Sequence, residues 1–171
     1  MKYIFSIIII VFVGNPLLSQ TNTKQCNCCT HEYKQFDFWI GEWDVFNKKG
    51  KKIGENRIVS MQDSCVIQEN WTSSGQTGTS YNFYDKADST WNQTYIDNFG
   101  NVLQLKGTFQ NNKMILKSKK TKSVKSNFYY YNQITWAKDS SGNVSQKWEI
   151  VGDKGNILQV VFDGVYKRKS N

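Results

Sequence analysis

The sequence is short of the residues on which most catalytic and metal sites depend. Its 171 residues include one histidine and one proline. The histidine, His31, stands alone near the N-terminus, and no G-x-S-x-G, H-E-x-x-H or phosphate-binding loop occurs in the chain. The sequence therefore has no signature of the common hydrolases, metalloproteases or nucleotide-binding enzymes, and the question of enzymatic activity stays open.

The single proline, Pro16, lies in a segment with the plan of a secretory signal peptide. An apolar run of about ten residues, Ile4–Val13, is too short to span a bilayer as a helix. We expect cleavage near Ser19 or Gln20 and an exported protein, periplasmic or extracellular, with no transmembrane segment in the mature chain; an uncleaved N-terminal anchor is the alternative. The predicted divisions are a signal peptide (1–20), a cysteine-rich tail (21–35) and one β-barrel domain (36–171).

Only four cysteines occur, and three of them fall within the stretch "CNCCTH". A c-type haem attachment site is excluded because no histidine directly follows Cys29. An oxidising compartment favours disulfides, and adjacent cysteines rarely bridge each other, so we expect Cys65 to pair with Cys26, Cys28 or Cys29. A zinc site that uses thiolates and His31, or free and intermolecular thiols, are the alternatives, and no metal is predicted.

Acidic residues are outnumbered, with 22 Lys and Arg against 14 Asp and Glu, for a formal net charge of +8. Much of the excess lies in "KKGKK" (48–52) and "KSKKTKSVKS" (117–126). We interpret both as solvated loop tips that hinder pairing between sheet edges. Contact with an anionic surface, such as lipid headgroups or polysaccharide, is the alternative. No aromatic residue interleaves with either cluster, so no nucleic-acid partner is expected.

Long helical patterns are absent, and short segments of strand type alternate with turns rich in Gly, Asn and Asp. Ten short strands joined mostly by hairpins predict an all-β, antiparallel, up-and-down barrel, since closure removes exposed sheet edges. Residues 31–40 favour a short helix or lid across one end. The ten predicted strands are 43–47, 53–61, 65–72, 79–84, 90–96, 102–109, 113–119, 129–137, 144–151 and 157–168.

The stretch "FDFWIGEWDV" (36–45) contains Gly41-Glu42-Trp43, which resembles the G-x-W motif of lipocalins and the wider calycin group of barrels. In those proteins the tryptophan lies across the closed end of the barrel, under a basic residue from the last strand. The resemblance implies the same place for Trp43, with Arg168 or Lys167 over its ring.

Residues 33–168 also resemble an uncharacterised family of exported bacterial proteins with a calycin-like, or lipocalin-like, barrel. The similar stretches are "FDFWIGEWDV", "NFYD", W-x-Q-x-Y-x-D and "FDGVYKR". This resemblance implies a fold and no activity. Nitrobindin, a haem-binding barrel, differs from this chain in its G-x-W-x-G-x-G pattern and its late haem-ligating histidine. No haem or other cofactor is therefore expected.

Strand alternation groups amides and a carboxylate with large aromatic rings, which is typical of a cavity that holds a partly apolar ligand. The outer face of the barrel is the alternative for these sets. Gln133 and Thr135 form one further set of this kind. The predicted ligand-binding residues are Glu69, Trp71, Asn82, Gln93, Tyr95, Gln146 and Trp148.

Three functions follow from this pattern. The first is an exported barrel that binds a small, partly apolar molecule. The second is a lyase, isomerase or hydrolase in the same cavity, with Glu69 or Asp97 as an acid or base whose pKa is raised by burial. The third is an interaction module that acts through its basic loops.

Overall fold

The computed structural model describes residues 26–124 and 128–169. The predicted signal peptide, residues 1–20, lies outside the described residues, as does the start of the cysteine-rich tail. One α-helix, α1 (His31–Lys34), is followed by a 3₁₀ turn, Asp37–Trp39. Neither has the length and apolar character needed to cross a membrane, and no other described helix does.

Eleven strands follow this segment within the described chain. They are β1 (Gly41–Asn47), β2 (Lys52–Met61), β3 (Val66–Thr72), β4 (Thr77–Asp85), β5 (Thr90–Asp97), β6 (Val102–Gln110), β7 (Lys113–Lys117), β8 (Thr121–Lys122), β9 (Tyr129–Lys138), β10 (Val144–Gly152) and β11 (Ile157–Arg168).

The strands form a closed antiparallel barrel. Each strand pairs with its successor in the chain, except that β7 pairs with β9, and β11 pairs with β1 to close the ring. The two-residue β8 adds only to β9, so the ring itself has ten strands. This confirms the predicted all-β up-and-down barrel of about ten strands, with the architecture of a calycin-like barrel and a short N-terminal helix.

The hairpin turns owe their shape to short polar side chains and glycine. In the β9–β10 turn, Asp139 Oδ1 accepts hydrogen bonds from the backbone N–H groups of Ser141 and Asn143, both at 2.9 Å. Gly142 adopts a φ of 84°, in the left-handed region that glycine tolerates best. The turn after Asp97 repeats the arrangement. Such turns fix the register of the strands on either side.

An aromatic cluster closes one end of the barrel. Phe36 stacks on Trp39 with 5.0 Å between ring centroids, and meets the rings of Trp136 and Trp91 at 5.2 and 5.6 Å. These side chains and that of Trp43 are at most 2% exposed. We call Phe36, Trp39, Trp43, Trp91 and Trp136 the aromatic floor. It accounts for the aromatic content of the N-terminal stretch, which packs across the end of the barrel.

The G-x-W stretch is held by the last strand. Trp43 Nε1 donates to the carbonyl oxygen of Trp39 at 2.8 Å, and the guanidinium carbon of Arg168 lies 4.0 Å from the centroid of the Trp43 ring. Gly41 has a φ of 144°, and a Cβ atom there would lie 1.5 Å from Arg168 Nη1. Glycine is therefore required at position 41 both by the backbone and by the arginine beside it.

Two disulfides join the N-terminal tail. Cys26 bonds to Cys29, and Cys28 bonds to Cys65, which directly precedes β3. The prediction that Cys65 pairs with one of the other three is confirmed. Because all four cysteines are bonded, the zinc alternative has no thiolates to use. The second bond ties the N-terminal segment, which contributes Phe36 and Trp39 to the aromatic floor, to the barrel wall.

Candidate functional site

A cavity of about 140 Å³ lies inside the barrel and opens at the end opposite the aromatic floor. Gln76, in the β3–β4 turn, and the exposed Val161 on β11 mark its opening. The twelve lining residues are Glu69, Trp71, Gln76, Gln93, Tyr95, Leu103, Ile134, Gln146, Trp148, Val161, Phe162 and Tyr166.

Strand alternation brings most of these side chains to the inner face. Residues two positions apart on one strand point to the same side, and antiparallel pairing sets neighbouring strands side by side. Glu69 lies opposite Ser80 on β4, and Ser80 lies opposite Tyr95 on β5. Three pairs supply half of the lining: Glu69 and Trp71 on β3, Gln93 and Tyr95 on β5, and Gln146 and Trp148 on β10.

Glu69 brings a carboxyl group into this interior. The side chain is 6% exposed. Its Oε1 accepts a hydrogen bond from Asn56 Nδ2, and its Oε2 accepts one from the Ser80 hydroxyl, both at 2.7 Å. Burial raises the pKa of Glu69 above its usual value, and the hydrogen bonds from Ser80 and Asn56 oppose that rise. Both opposing groups are neutral, so the carboxyl group has hydrogen bonds without a counter-ion.

A chain of amides holds the Ser80 hydroxyl in place. Asn82 Nδ2 donates to Ser80 Oγ at 3.0 Å and to the carbonyl oxygen of Ile67 at 3.1 Å. Gln93 Nε2 donates to Asn82 Oδ1 at 2.7 Å. Because Ser80 Oγ already accepts from Asn82, its proton is directed to Glu69. The carboxyl group is thus oriented by a series of side chains from β4 and β5.

The network continues on the other side of the barrel. The Tyr166 hydroxyl donates to Gln146 Oε1 and accepts from Asn56 Nδ2 at 3.4 Å. Burial raises the pKa of Tyr166 well above its usual value. Asn56 Oδ1 is buried with no hydrogen-bond partner among the described residues. We call this set the polar belt; its members are Asn56, Glu69, Ser80, Asn82, Gln93, Gln146 and Tyr166.

Four aromatic side chains surround the cavity beyond the polar belt. We call Trp71, Tyr95, Trp148 and Phe162 the aromatic mouth. Trp71 meets Phe162 edge to face with 5.9 Å between centroids, and Trp148 Nε1 donates to Asn132 Oδ1 at 2.8 Å. Burial, and then the charges of nearby carboxylates, raise the pKa of Tyr95 to about 12. The tyrosine is therefore neutral near pH 7 and can donate or accept a hydrogen bond.

Three glycines make room for three of these rings, two from neighbouring strands and one from the same strand. Each glycine lies inside a strand, and a glycine at such a position often marks the close approach of another group. A Cβ atom would lie 2.4 Å from the Trp71 ring at Gly54, 2.2 Å from the Tyr95 hydroxyl at Gly78, and 2.6 Å from the Phe162 ring at Gly164.

Six of the seven residues predicted to contact a ligand line the cavity, and Asn82 does not. Asn82 is fully buried between Gln93 and Ser80, and its hydrogen bonds connect these two side chains. The structure also brings in residues that the sequence did not single out. Asn56 lies two positions before the buried Ile58 on β2, and Tyr166 lies two positions before Arg168 on β11. This spacing would have placed each side chain on the inner face.

Two sequence-based expectations about this cavity were wrong. Asp97 does not have a raised pKa: hydrogen bonds, first of all from the Asn101 side chain, hold its pKa below the usual range, and its role is to shape a turn. Gln133 and Thr135 do not face the cavity. Ile134, which lies between them and is 3% exposed, faces inward instead. Both faces of β9 mix polar and apolar residues, so alternation alone did not distinguish them.

The first basic cluster is partly neutralised by acidic neighbours. Lys48 Nζ lies 3.1 Å from Asp163, and Lys52 Nζ lies 2.7 Å from Asp44 and 2.6 Å from Glu55. In the second cluster, Lys117 Nζ lies 5.5 Å from the centroid of the Tyr131 ring, and residues 125–126 lie outside the described residues. These contacts reduce the free positive charge at one loop, so the cavity is the stronger candidate site.

No protein-family model matches this chain, and no curated protein matches it. The resemblance to exported bacterial proteins and the ligand-binding roles assigned from the sequence therefore stay predictions. The support for a function therefore comes from the geometry of the cavity.

Proposed function

We propose that the protein is an exported member of the calycin-like barrels that binds one small, partly apolar molecule in the cavity. The observation that carries this proposal is the junction of the polar belt with the aromatic mouth. The belt supplies hydrogen-bonding groups whose orientation is already fixed, and the mouth supplies flat apolar walls. Binding sites for small molecules commonly combine the two.

The energetics of the polar belt support a ligand-related role. A buried polar group without a partner costs roughly 1–3 kcal/mol of stability. A core made for stability alone would be filled with aliphatic side chains, such as those of Leu105 and Leu116 in the hydrophobic core of this barrel. Seven polar side chains in the barrel interior instead form a network around an open space, which fits a site prepared for hydrogen bonds from outside the protein.

The size of the cavity limits the ligand. A cavity of about 140 Å³ is close to the ~150 Å³ that accommodates benzene in an apolar engineered site. Pockets for drug-sized molecules are larger, at roughly 300–1,000 Å³. We therefore expect a ligand whose buried part is one ring with a short substituent, with any larger part protruding through the mouth.

Export is supported by the two disulfides, since such bonds persist in oxidising compartments. The predicted signal peptide supports it from the sequence. N-terminal sequencing of the secreted protein tests this part of the proposal: a mature chain that begins near residue 21 is expected, and an intact N-terminus in the cytoplasmic fraction would contradict it.

Native mass spectrometry of the exported protein, compared with its mass under denaturing conditions, tests ligand binding directly. A co-purified small molecule is expected, and Trp71→Ala and Trp148→Ala should lose it while circular dichroism stays that of a β-protein. Tyr81→Ala is the matched control because Tyr81 is 44% exposed on the outer face of β4 and does not line the cavity. Equal retention by the tryptophan variants would contradict the proposal.

A second candidate, an enzyme that uses Glu69, is favoured by one observation. Burial raises the pKa of this carboxyl group, as general acids and bases require, and the group faces an open cavity. Turnover that depends on pH and disappears in Glu69→Gln would support catalysis. Ligand recovery in chemically unchanged form after prolonged incubation would favour simple binding.

A further inference from the structure

The lining of the cavity contains an acidic group and no basic group. Glu69 is its one ionisable carboxyl group, and no Lys, Arg or His is among the described residues that line it. The protein has a formal net charge of +8, yet none of the lysines that the structure describes is buried. An anionic ligand would lose its hydration and meet a carboxylate without a counter-ion, which is unfavourable in a buried site.

The hydrogen-bond inventory around Glu69 is rich in unused acceptors. An ionised carboxylate has about four acceptor sites, and two described groups occupy one on each oxygen of Glu69. Gln93 uses its NH₂ group on Asn82, and Tyr166 uses its proton on Gln146. Gln93 and Tyr166 thus use these donors within the belt, and the remaining acceptor sites on Glu69 suit donors that a ligand brings.

The aromatic mouth is also suited to a positive group. Cations are attracted to the faces of tryptophan, tyrosine and phenylalanine rings within about 6 Å, most strongly to tryptophan and most strongly where water is excluded. Trp71 and Trp148 both line the cavity that contains the Glu69 carboxyl group. A cation with a flat body can thus meet a carboxylate and aromatic walls together.

We propose that the ligand is an organic cation of the amine, amidine or guanidine class on a small apolar body, with Glu69 as its counter-ion. This inference rests on the proposed function and narrows it. A cation-binding cavity discriminates against carboxylate ligands, including fatty acids, because of the unpaired charge at Glu69.

Binding of such a cation is linked to the protonation of Glu69. At a pH below its raised pKa the empty cavity holds the protonated acid, so binding a cation releases a proton. Affinity for a permanently charged ligand then rises with pH until it passes that pKa and becomes constant above it. The titratable groups that face Glu69 are Tyr95 and Tyr166, and both stay neutral in this range because their pKa values are raised.

Three planar probes of nearly equal shape test the charge preference: benzamidine as the cation, benzamide as the neutral analogue, and benzoate as the anion. Isothermal titration calorimetry near pH 7 should give benzamidine the highest affinity, about tenfold above benzamide, since a charge-assisted hydrogen bond is roughly twice as strong as a neutral one. Benzoate should bind most weakly. Benzamidine affinity should fall on acidification while that of benzamide stays constant.

Two variants separate the charge of Glu69 from the integrity of the polar belt. Glu69→Gln removes the charge and should bring the affinities for benzamidine and benzamide within about threefold of each other. Ser80→Ala removes one hydrogen bond and keeps the charge, so it should retain the preference for benzamidine. Circular dichroism monitors folding, and the pH profile of the unmodified protein tests the inference if Glu69→Gln does not fold.

Preference for benzoate or benzamide over benzamidine in the unmodified protein would overturn this inference and leave the proposed function standing. A cation preference that survives Glu69→Gln would overturn the role of Glu69 as counter-ion. No saturable binding of any of the three probes, together with no co-purified molecule in native mass spectrometry, would sink both proposals.

Discussion

The bond between Cys28 and Cys65 should contribute more to stability than the bond between Cys26 and Cys29. It joins residues 37 positions apart, whereas the bond between Cys26 and Cys29 joins residues 3 apart. In the chain-entropy description, a crosslink restricts the unfolded chain in proportion to the logarithm of the loop that it closes. For these two separations the description gives about 4 kcal/mol for the long loop and about 1.6 kcal/mol for the short one.

The assay is urea unfolding followed by circular dichroism for the unmodified protein and two double variants. Cys28→Ala with Cys65→Ala should lower the free energy of unfolding by about 4 kcal/mol. Cys26→Ala with Cys29→Ala is the matched control and should lower it by less than about 2 kcal/mol. Loss of the long crosslink should also increase the dependence on urea concentration, because the unfolded chain becomes more expanded.

Equal losses in the two double variants would mean that loop entropy does not determine the contribution of these bonds. A loss below about 1 kcal/mol for the long crosslink would mean that the tail folds onto the barrel without it. Cys28 is buried, so part of its effect comes from packing, and the urea dependence separates that part from the effect on the unfolded chain.

Three further predictions concern the interior. Trp43→Ala should reduce stability by about 3–5 kcal/mol in urea unfolding, because it empties the aromatic floor beneath Arg168. Gly78→Ala should displace the Tyr95 ring and cost about 1–3 kcal/mol of stability, whereas Gly75→Ala, with nothing within 4 Å of the added carbon, should have little effect. Glu69→Gln should weaken the pH dependence of unfolding. Since burial raises the folded pKa of Glu69, the folded protein binds more protons than the unfolded chain. Stability therefore falls as pH rises from the unfolded pKa through the folded one, by at most about 1.4 kcal/mol per pH unit.

Each of these has an outcome that contradicts it. A loss below about 1 kcal/mol for Trp43→Ala would mean that the floor does not depend on this ring. Equal effects of the two glycine substitutions would show that the close approach of Tyr95 is not what requires glycine at position 78. A parallel pH profile for Glu69→Gln would mean that this carboxyl group titrates alike in the folded and unfolded chain.

The barrel was predictable because its strands are short, regular and separated by strong turn signals. Asp139 and Gly142, for example, are residues that tight turns select for known reasons, and the hairpin that they predict is present. The general content of the cavity was predictable for a similar reason, since period-two alternation on β3, β5 and β10 leaves little doubt about which residues share a face.

The polar belt was not predictable from the same reasoning. The hydrogen bond between Ser80 and Glu69 depends on which residues lie opposite each other on β3 and β4, and alternation does not give that register. The space that Gly54 and Gly78 provide was signalled by glycines inside strands, but the identity of the rings that occupy it required the fold. The pairing of Cys28, in preference to its neighbours, likewise depends on where the tail crosses the barrel end.

The aromatic floor has a kinetic consequence. With one end filled by packed rings, a molecule in the cavity leaves past Gln76 and Val161, the same way that it entered. A change in the width of that passage alters the association and dissociation rate constants by the same factor and leaves their ratio unaltered. A substitution that changes the width of the passage can therefore change the residence time of the ligand, whereas Glu69 and its neighbours determine the affinity. The two properties can thus vary separately in one small barrel.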